Sequence, residues 1–222
     1  MHSKSTTAKS PIPKDDELCP LGPEGCPVYD QMLVLRTAHQ RLADLSQTDP
    51  LTGMYNFRYL RTALEREMER TSRTGAPTSL IMVDLDHFKE INDTYGHHVG
   101  NKVLRWTAAQ WTGRIRKIDL ACRYGGEEFT FILPGTQTLQ AVVVAERLRK
   151  AFEESPLKVD GEMIQLTASF GVDMHTSGQD LSVEAFLQRA DECLLQAKSE
   201  GRNCVFAANR EEKAIEIDDG PG

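Results

Sequence analysis

Apolar residues recur along this chain with two different periods, and the changes from one period to the other mark its elements. From Val28 to Gln47 the apolar positions Val28, Met32, Leu35, Leu42 and Leu45 fall three or four residues apart or at multiples of that spacing, which predicts a helix. A second helix is predicted from Phe57 to Ser72, with Leu60, Leu64 and Met68 on one face. Leu80 to Val83 is a continuous apolar run of strand length that ends abruptly at Asp84. Phe88 to Asp93 reads as a short helix and Tyr95 to Gly100 as a loop, before a helix striped by Leu104, Ala108, Trp111 and Ile115. The period then drops to two. Leu120, Cys122 and Tyr124 alternate on one side of Gly125-Gly126, and Phe129, Phe131 and Leu133 alternate on the other, which predicts a β-hairpin with positive φ at both glycines. A helix from Gln137 to Glu154 buries Ala141, Ala145, Leu148 and Phe152. Ile164, Leu166, Ala168, Phe170 and Val172 alternate as a strand, and Val183, Phe186, Leu187, Ala190, Leu194 and Ala197 line the last long helix before a strand at Cys204–Ala207. This order predicts an α+β fold with a central, mostly antiparallel sheet flanked by helices.

Composition divides the chain. Residues 1–27 are rich in Ser, Thr, Lys, Pro and Gly and read as a flexible arm. Residues 28–48 read as a helical stalk able to pair two copies, 49–208 as one domain, and 209–222 as a disordered acidic tail. Pro50 and Gly53 break the stalk, Asn56 is placed to cap the helix that follows, and Asp49 reads as structural. A net charge of −7 argues against a surface that coats DNA or RNA. No apolar stretch approaches the ~20 residues a membrane span needs, and no signal-peptide core is present, so a soluble cytoplasmic protein is expected. Five cysteines give no disulfide framework, and Cys122, Cys193 and Cys204 read as packing residues. Cys19 and Cys26 each precede a proline; they read as free thiols, or as half of a metal or redox site completed by His39 or a partner.

The chemistry concentrates at two acidic clusters. Glu127 and Glu128 sit side by side after the paired glycines, a costly clustering unless a cation binds there. Asp84 ends a buried strand, where ligand sites of α/β sheets gather. If that strand neighbours the hairpin, Asp84 and Glu127 share one ion, and two carboxylates with backbone and phosphate oxygens suit Mg²⁺.

Arg123-Tyr124-Gly125-Gly126-Glu127-Glu128-Phe129, together with the run Asp84-Leu85-Asp86-His87-Phe88-Lys89-Glu90-Ile91-Asn92-Asp93-Thr94-Tyr95-Gly96-His97, resembles the GGDEF family of diguanylate cyclases over roughly Asp49 to Phe206. The family shares its fold with nucleotide cyclases and the polymerase palm. The resemblance implies condensation of two GTP into cyclic di-GMP with release of two pyrophosphates, on a homodimer whose subunits each present one GTP. It implies Mg²⁺ or Mn²⁺ bound by Asp84, Glu127 and the Leu85 carbonyl. Glu127 would accept the 3′-hydroxyl proton, with Glu128 or water as alternatives. Lys89, Lys198 and Arg202 would meet the phosphates, and Phe88, Asn92, His97, Asn101, Gly125 and Gly126 would bind the nucleotide. Arg116 and Asp119, with Arg147, match the family's inhibitory product site.

Asn101 departs from the family, which has Asp there. An amide pairs with guanine or adenine, so relaxed purine choice and a mixed cyclic GMP-AMP product stand as an alternative. A non-catalytic cyclic di-GMP-binding module is a second, and a dimerising adaptor sensing metal or redox state through Cys19 and Cys26 a third.

Overall fold

The computed structural model describes residues 29–45, 47–159 and 161–208. The arm at 1–27, with Cys19 and Cys26, and the tail at 209–222 lie outside the described residues. The chain divides into two compact units, one ending at Ser46 and the other beginning at Gln47. In the first, helix α1 spans Tyr29–Leu45 and leaves Met32, Leu33, Val34 and Leu35 exposed.

The second unit is built on a six-stranded sheet. Its strands in chain order are β1 (Tyr55–Asn56), β2 (Thr78–Leu85), β3 (Leu120–Arg123), β4 (Glu128–Pro134), β7 (Ala168–His175) and β8 (Val205–Ala207), with β5 (Leu157–Val159) and β6 (Glu162–Ile164) forming a separate hairpin. The spatial order is β1-β3-β4-β2-β7-β8. The inner pairs are antiparallel and the two outermost pairs parallel. Helices α2 (Phe57–Thr74), α3 (Phe88–Tyr95), α4 (His97–Thr112), α5 (Thr138–Glu153) and α6 (Val183–Ser199) complete it.

Both faces of the sheet are covered, because alternate strand residues feed two separate cores. Ile81, Val83, Phe129, Phe131, Phe170 and Val172 meet Trp111 of α4 and Leu148 and Phe152 of α5. Leu80, Met82, Cys122 and Ile132 meet Leu60, Leu64 and Met68 of α2 and Phe186, Ala190 and Leu194 of α6. Trp111 is fully buried and edge-on to Phe129 and Phe131, so it serves packing. At Gly171 the backbone of α6 lies directly on β7: a Cβ there would stand 2.2 Å from the Leu194 nitrogen and 2.5 Å from the Ala190 oxygen. The side-chain ion pair Arg189–Asp173, at 2.6 Å, pins the same helix two residues further along β7.

Several elements differ from the sequence pattern. Ile164 and Leu166 are buried in the same core as Phe170 but do not belong to β7, which starts at Ala168. Their alternation records a shared core, and β6 pairs with β5 instead. The stretch from His97 is already helical; Gly96, with φ of 82°, turns α3 directly into α4. The side chain of Asn56 accepts from the Tyr59 amide at 3.0 Å and caps α2 as expected.

Candidate active site

Asp84 continues the Leu80–Met82 series and therefore faces the α2 and α6 side of the sheet, one residue before β2 ends. The register pairs Asp84 with Glu128 across β2 and β4, so the two side chains leave the sheet on the same face as neighbours. Lys198, in the last turn of α6, places Nζ 2.9 Å from an Asp84 oxygen. Burial pushes the Asp84 carboxyl above its ordinary range, with Lys198 pulling it back. Glu128 is raised as well, first by burial and then by the charge of Asp84. Two acids whose ionised forms repel each other, beside one ammonium group, are hard-oxygen donors suited to a divalent cation. Among the described residues no group of three or more His, Cys, Asp or Glu is placed to hold a metal by itself. An ion here would take its remaining ligands from backbone, water and phosphate, which is the habit of Mg²⁺.

The hairpin is longer than the sequence pattern implied. Its strands stop at Arg123 and Glu128, and neither Gly125 nor Gly126 has positive φ, because four intervening residues close the loop without a left-handed position. The Tyr124 amide donates to the Glu128 carbonyl at 2.9 Å. Gly125 matters for space instead: a Cβ there would stand 2.7 Å from Glu128 Oε2. The Leu85 amide donates to the Glu127 carbonyl at 3.3 Å, so the backbone of Glu127 is tied to β2 while its side chain sits half-buried at the tip. Arg123 locks the loop from behind. Its guanidinium donates to the Gly126 carbonyl at 2.7 Å and to both Asp49 oxygens, at 3.2 and 3.1 Å. Burial works against the Asp49 charge, but Thr52 and Arg123 hold its pKa below the ordinary value. Asp49 is thus structural: through Arg123 it supports the hairpin that carries Glu127 and Glu128.

The remaining predicted residues fall into groups. Lys89 is exposed on the first turn of α3. Asn92, half-buried, and His97 and Asn101, both exposed, gather at the α3–α4 corner. A Cβ on Gly100 would collide with Asn92 Oδ1 at 2.0 Å, so the small residue makes room for that amide. Phe88 departs from the expectation of a nucleotide contact. It is 6% exposed, with its ring in the core beneath Gly100, because the first turn of α3 packs inward. Arg202 is exposed after α6, and its charge favours ionised Asp84.

Arg116 and Asp119 form a bidentate pair on the turn between α4 and β3, with N–O distances of 2.8 to 3.1 Å, and Arg116 also donates to the Thr136 hydroxyl at 2.7 Å. The Asp119 side chain is only 1% exposed, so it meets Arg116 and not solvent. Arg147 reaches the same turn from α5 and donates to the Arg114 carbonyl at 2.7 Å. A hollow of about 690 Å³ opens beside it, lined by Arg105, Arg116, Lys117 and Tyr55. A groove of about 1170 Å³ between α2 and the segment leading into α6 contains none of the predicted site residues, and the Arg61–Glu184 ion pair spans it.

Two residues escaped the sequence reading. Asp191 stands two turns before Lys198 on the same stripe of α6, and its charge acts on Glu128 and Tyr124. The seven-residue spacing was the available signal. Asp86 shares the Asp-x-Asp run with Asp84, yet it is buried and engaged elsewhere, accepting hydrogen bonds from Thr167, Ser169 and Asn203.

The profile of the family described as diguanylate cyclase, GGDEF domain, matches residues 46–204. The response regulator PleD of Caulobacter vibrioides is 44% identical over 173 residues, covering 77% of this chain and 38% of that protein. Diguanylate cyclase DgcP of Pseudomonas aeruginosa is 40% identical over 173 residues, 77% of this chain and 26% of its own length. The chain therefore spans well under half the length of these curated relatives. Among solved structures, diguanylate cyclase SiaD of Pseudomonas aeruginosa, in complex with its activator SiaC, superposes with a TM-score of 0.70 at 39% identity, covering 81% of this chain and 68% of that one. The GGDEF domain of DgcB from Caulobacter crescentus, in complex with c-di-GMP, also gives 0.70, at 32% identity over 73% of this chain and 93% of its own. No helix among the described residues is long and apolar enough to cross a membrane.

Proposed function

The chain belongs to the GGDEF family of diguanylate cyclases, and from that premise we propose that it condenses two GTP molecules into cyclic di-GMP and releases two pyrophosphates. The observation that carries the reading is the cross-strand pair Asp84–Glu128, with Lys198 at 2.9 Å, at one end of a strand whose middle, Leu80 to Val83, is apolar. Where the sequence led to Glu127 as the second carboxylate of the ion, the register brings Glu128 beside Asp84 instead, so Asp84 and Glu128, with the Leu85 carbonyl, are the groups that would hold Mg²⁺ or Mn²⁺. When bound, the ion neutralises phosphate charge and makes the attacked phosphorus more electrophilic.

This pairing separates the two glutamates. Glu128 faces Asp84, which leaves Glu127 at the loop tip as acceptor of the 3′-hydroxyl proton; a glutamate outside the ion's ligand set keeps more of its basicity. Lys198 and Lys89 supply positive charge for the departing pyrophosphate, and Arg202 holds the phosphates of the bound nucleotide. Asn92, Asn101 and His97 form the base-recognising corner, and Gly125 and Gly126 let backbone approach the nucleotide. One such domain presents one triphosphate, so the reaction needs two copies facing each other. The exposed apolar residues of α1 are suited to pair them.

Asn101 supports a second reading. It is exposed one residue from Gly100, against which the Asn92 amide rests, so this corner offers the amides of Asn92 and Asn101 to a base. An amide donates to or accepts from guanine or adenine, which favours relaxed purine choice and a mixed cyclic GMP-AMP product. Chromatography of products from equimolar GTP and ATP with Mg²⁺ tests both readings. Cyclic di-GMP alone would remove the relaxed one, and no pyrophosphate release from either nucleotide would remove both.

Product inhibition is proposed at Arg116, Asp119 and Arg147. The Arg116–Asp119 pair must open before Asp119 can accept from a guanine, because Asp119 is buried beneath it. Arg116→Ala is expected to abolish inhibition by added cyclic di-GMP while the initial rate stays near wild type; retained inhibition rejects the assignment.

A further inference from the structure

Asp86 lies two residues beyond Asp84 and has a separate set of partners. It is 5% exposed. One carboxylate oxygen accepts from the Ser169 hydroxyl at 2.7 Å; the other accepts from the Thr167 hydroxyl at 2.8 Å and from the backbone amide of Asn203 at 3.0 Å. A carboxylate is acceptor-only, and three donors converge on it. The hydroxyls can turn to serve an acceptor or a donor. The Asn203 amide cannot.

That amide belongs to a loop with an uncommon backbone. Arg202 and Asn203 have φ of 65° and 47°, and Gly201 before them 113°. Asparagine tolerates the left-handed region and arginine does so poorly, so such a run persists only where its surroundings over-determine it. The Arg202 amide donates to the Ala197 carbonyl at 3.2 Å, and the Asn203 side chain accepts from Arg149 at 2.9 Å and donates to Glu153 at 2.7 Å. Those partners belong to α6 and α5. Asp86 comes from the end of the strand that carries Asp84, and it links the loop to the acidic site.

We propose that Asp86 is a positioning residue: by holding the Asn203 amide it sets the left-handed turn that presents Arg202 to the phosphates of a nucleotide bound at Asp84 and Glu128. The inference rests on the reading of that site given above. An arginine that meets phosphate in the bound substrate and in the transition state alike is felt in KM more than in kcat. The second aspartate of the run is thereby explained without a place among the ion's ligands.

The test is a double-mutant cycle read alongside amide hydrogen exchange in the full chain. Asp86→Ala is expected to raise KM for GTP about tenfold, the scale of one lost hydrogen bond to a charged group, with a much smaller change in kcat. In an Arg202→Ala background the same substitution should add less than about twofold, because the group it positions is already gone. The Asn203 amide should exchange faster in Asp86→Ala while amides in the middle of β2 such as Ile81, paired by β4 and β7, stay protected. Equal losses in both backgrounds, or undiminished protection of Asn203, would overturn the proposal. If Asp86→Ala does not fold, Asp86→Asn carries the test. Its neutral carbonyl is a weaker acceptor, so Asn203 exchange and KM should both rise a few-fold, and no change in either would be equally fatal. Wild-type protein that makes no dinucleotide would sink the cyclase reading, and the exchange measurement would then still decide whether Asp86 holds the turn.

Discussion

Replacing Gly171 with alanine puts the seating of α6 on the sheet to a direct test. The added Cβ would lie 2.2 Å from the Leu194 nitrogen, 2.5 Å from the Ala190 oxygen and 2.7 Å from the Leu194 Cα, and all three atoms are backbone. Ordinary contact begins near 3.4 Å, so the helix must retreat by about an ångström and has no flexible side chain to absorb the shift. Overpacking of this kind costs about 1–3 kcal/mol. With a urea slope of about 1–3 kcal/mol per molar, the unfolding midpoint should fall by roughly 1 M. Lys198 lies one helical turn beyond Leu194, so the same retreat lengthens its 2.9 Å contact with Asp84 past hydrogen-bonding range. Urea denaturation followed by tryptophan fluorescence, with initial rates of dinucleotide synthesis on the folded fraction, measures both effects. Gly126→Ala is the control, because no atom lies within 4 Å of its added Cβ and its stability should not change. A Gly171→Ala protein that matches wild type in midpoint and in rate would refute the argument that this contact places the lysine.

Other substitutions separate the roles of neighbouring groups. Gly125→Ala should leave the denaturation midpoint nearly unchanged but cut the synthesis rate at least ~10-fold, since its Cβ displaces the mobile Glu128 carboxylate, 2.7 Å away, and not backbone. Ionisation of Asp84 and Glu128 opposes folding because both pKa values are raised, so the stability linked to their protonated forms is present at low pH and lost as pH rises through the raised values. Glu128→Gln removes part of that loss. At pH 7 it should match or exceed wild type in ligand-free melting temperature and should lack the upward shift expected of wild type with Mg²⁺ and GTP, as scanning calorimetry would show. His175 has the opposite sign: burial lowers its pKa against an opposing pull from Gln179, and the ring lies in a core beside Phe186. Its contribution is intact above the ordinary histidine value and is lost as pH falls toward the folded one. His175→Leu should therefore flatten the stability profile between pH 7 and 5, and an unchanged slope would argue against it.

The local elements were legible because their causes are local. Leu60, Leu64 and Met68 repeat at helical spacing whatever they pack on, and Phe129, Phe131 and Leu133 alternate because a strand has two sides. Asn56 caps its helix through a neighbour three residues away. The acidic clusters were equally plain, as carboxylates next to paired glycines and at the end of an apolar run. The sequence therefore determined by itself the long helices, the hairpin strands, the α+β class and the two acidic segments that meet. Choices made across long separations were not available to it. The register of β2 against β4 selected Glu128 as the neighbour of Asp84, since a slip of one residue turns every side chain to the other face. Backbone contact at Gly171 decided where Lys198 ends, and burial divided Asp84 from Asp86, two identical residues of one short run. Such outcomes depend on which atoms lie opposite after the sheet and helices have packed, and periodicity along a single chain carries no record of that.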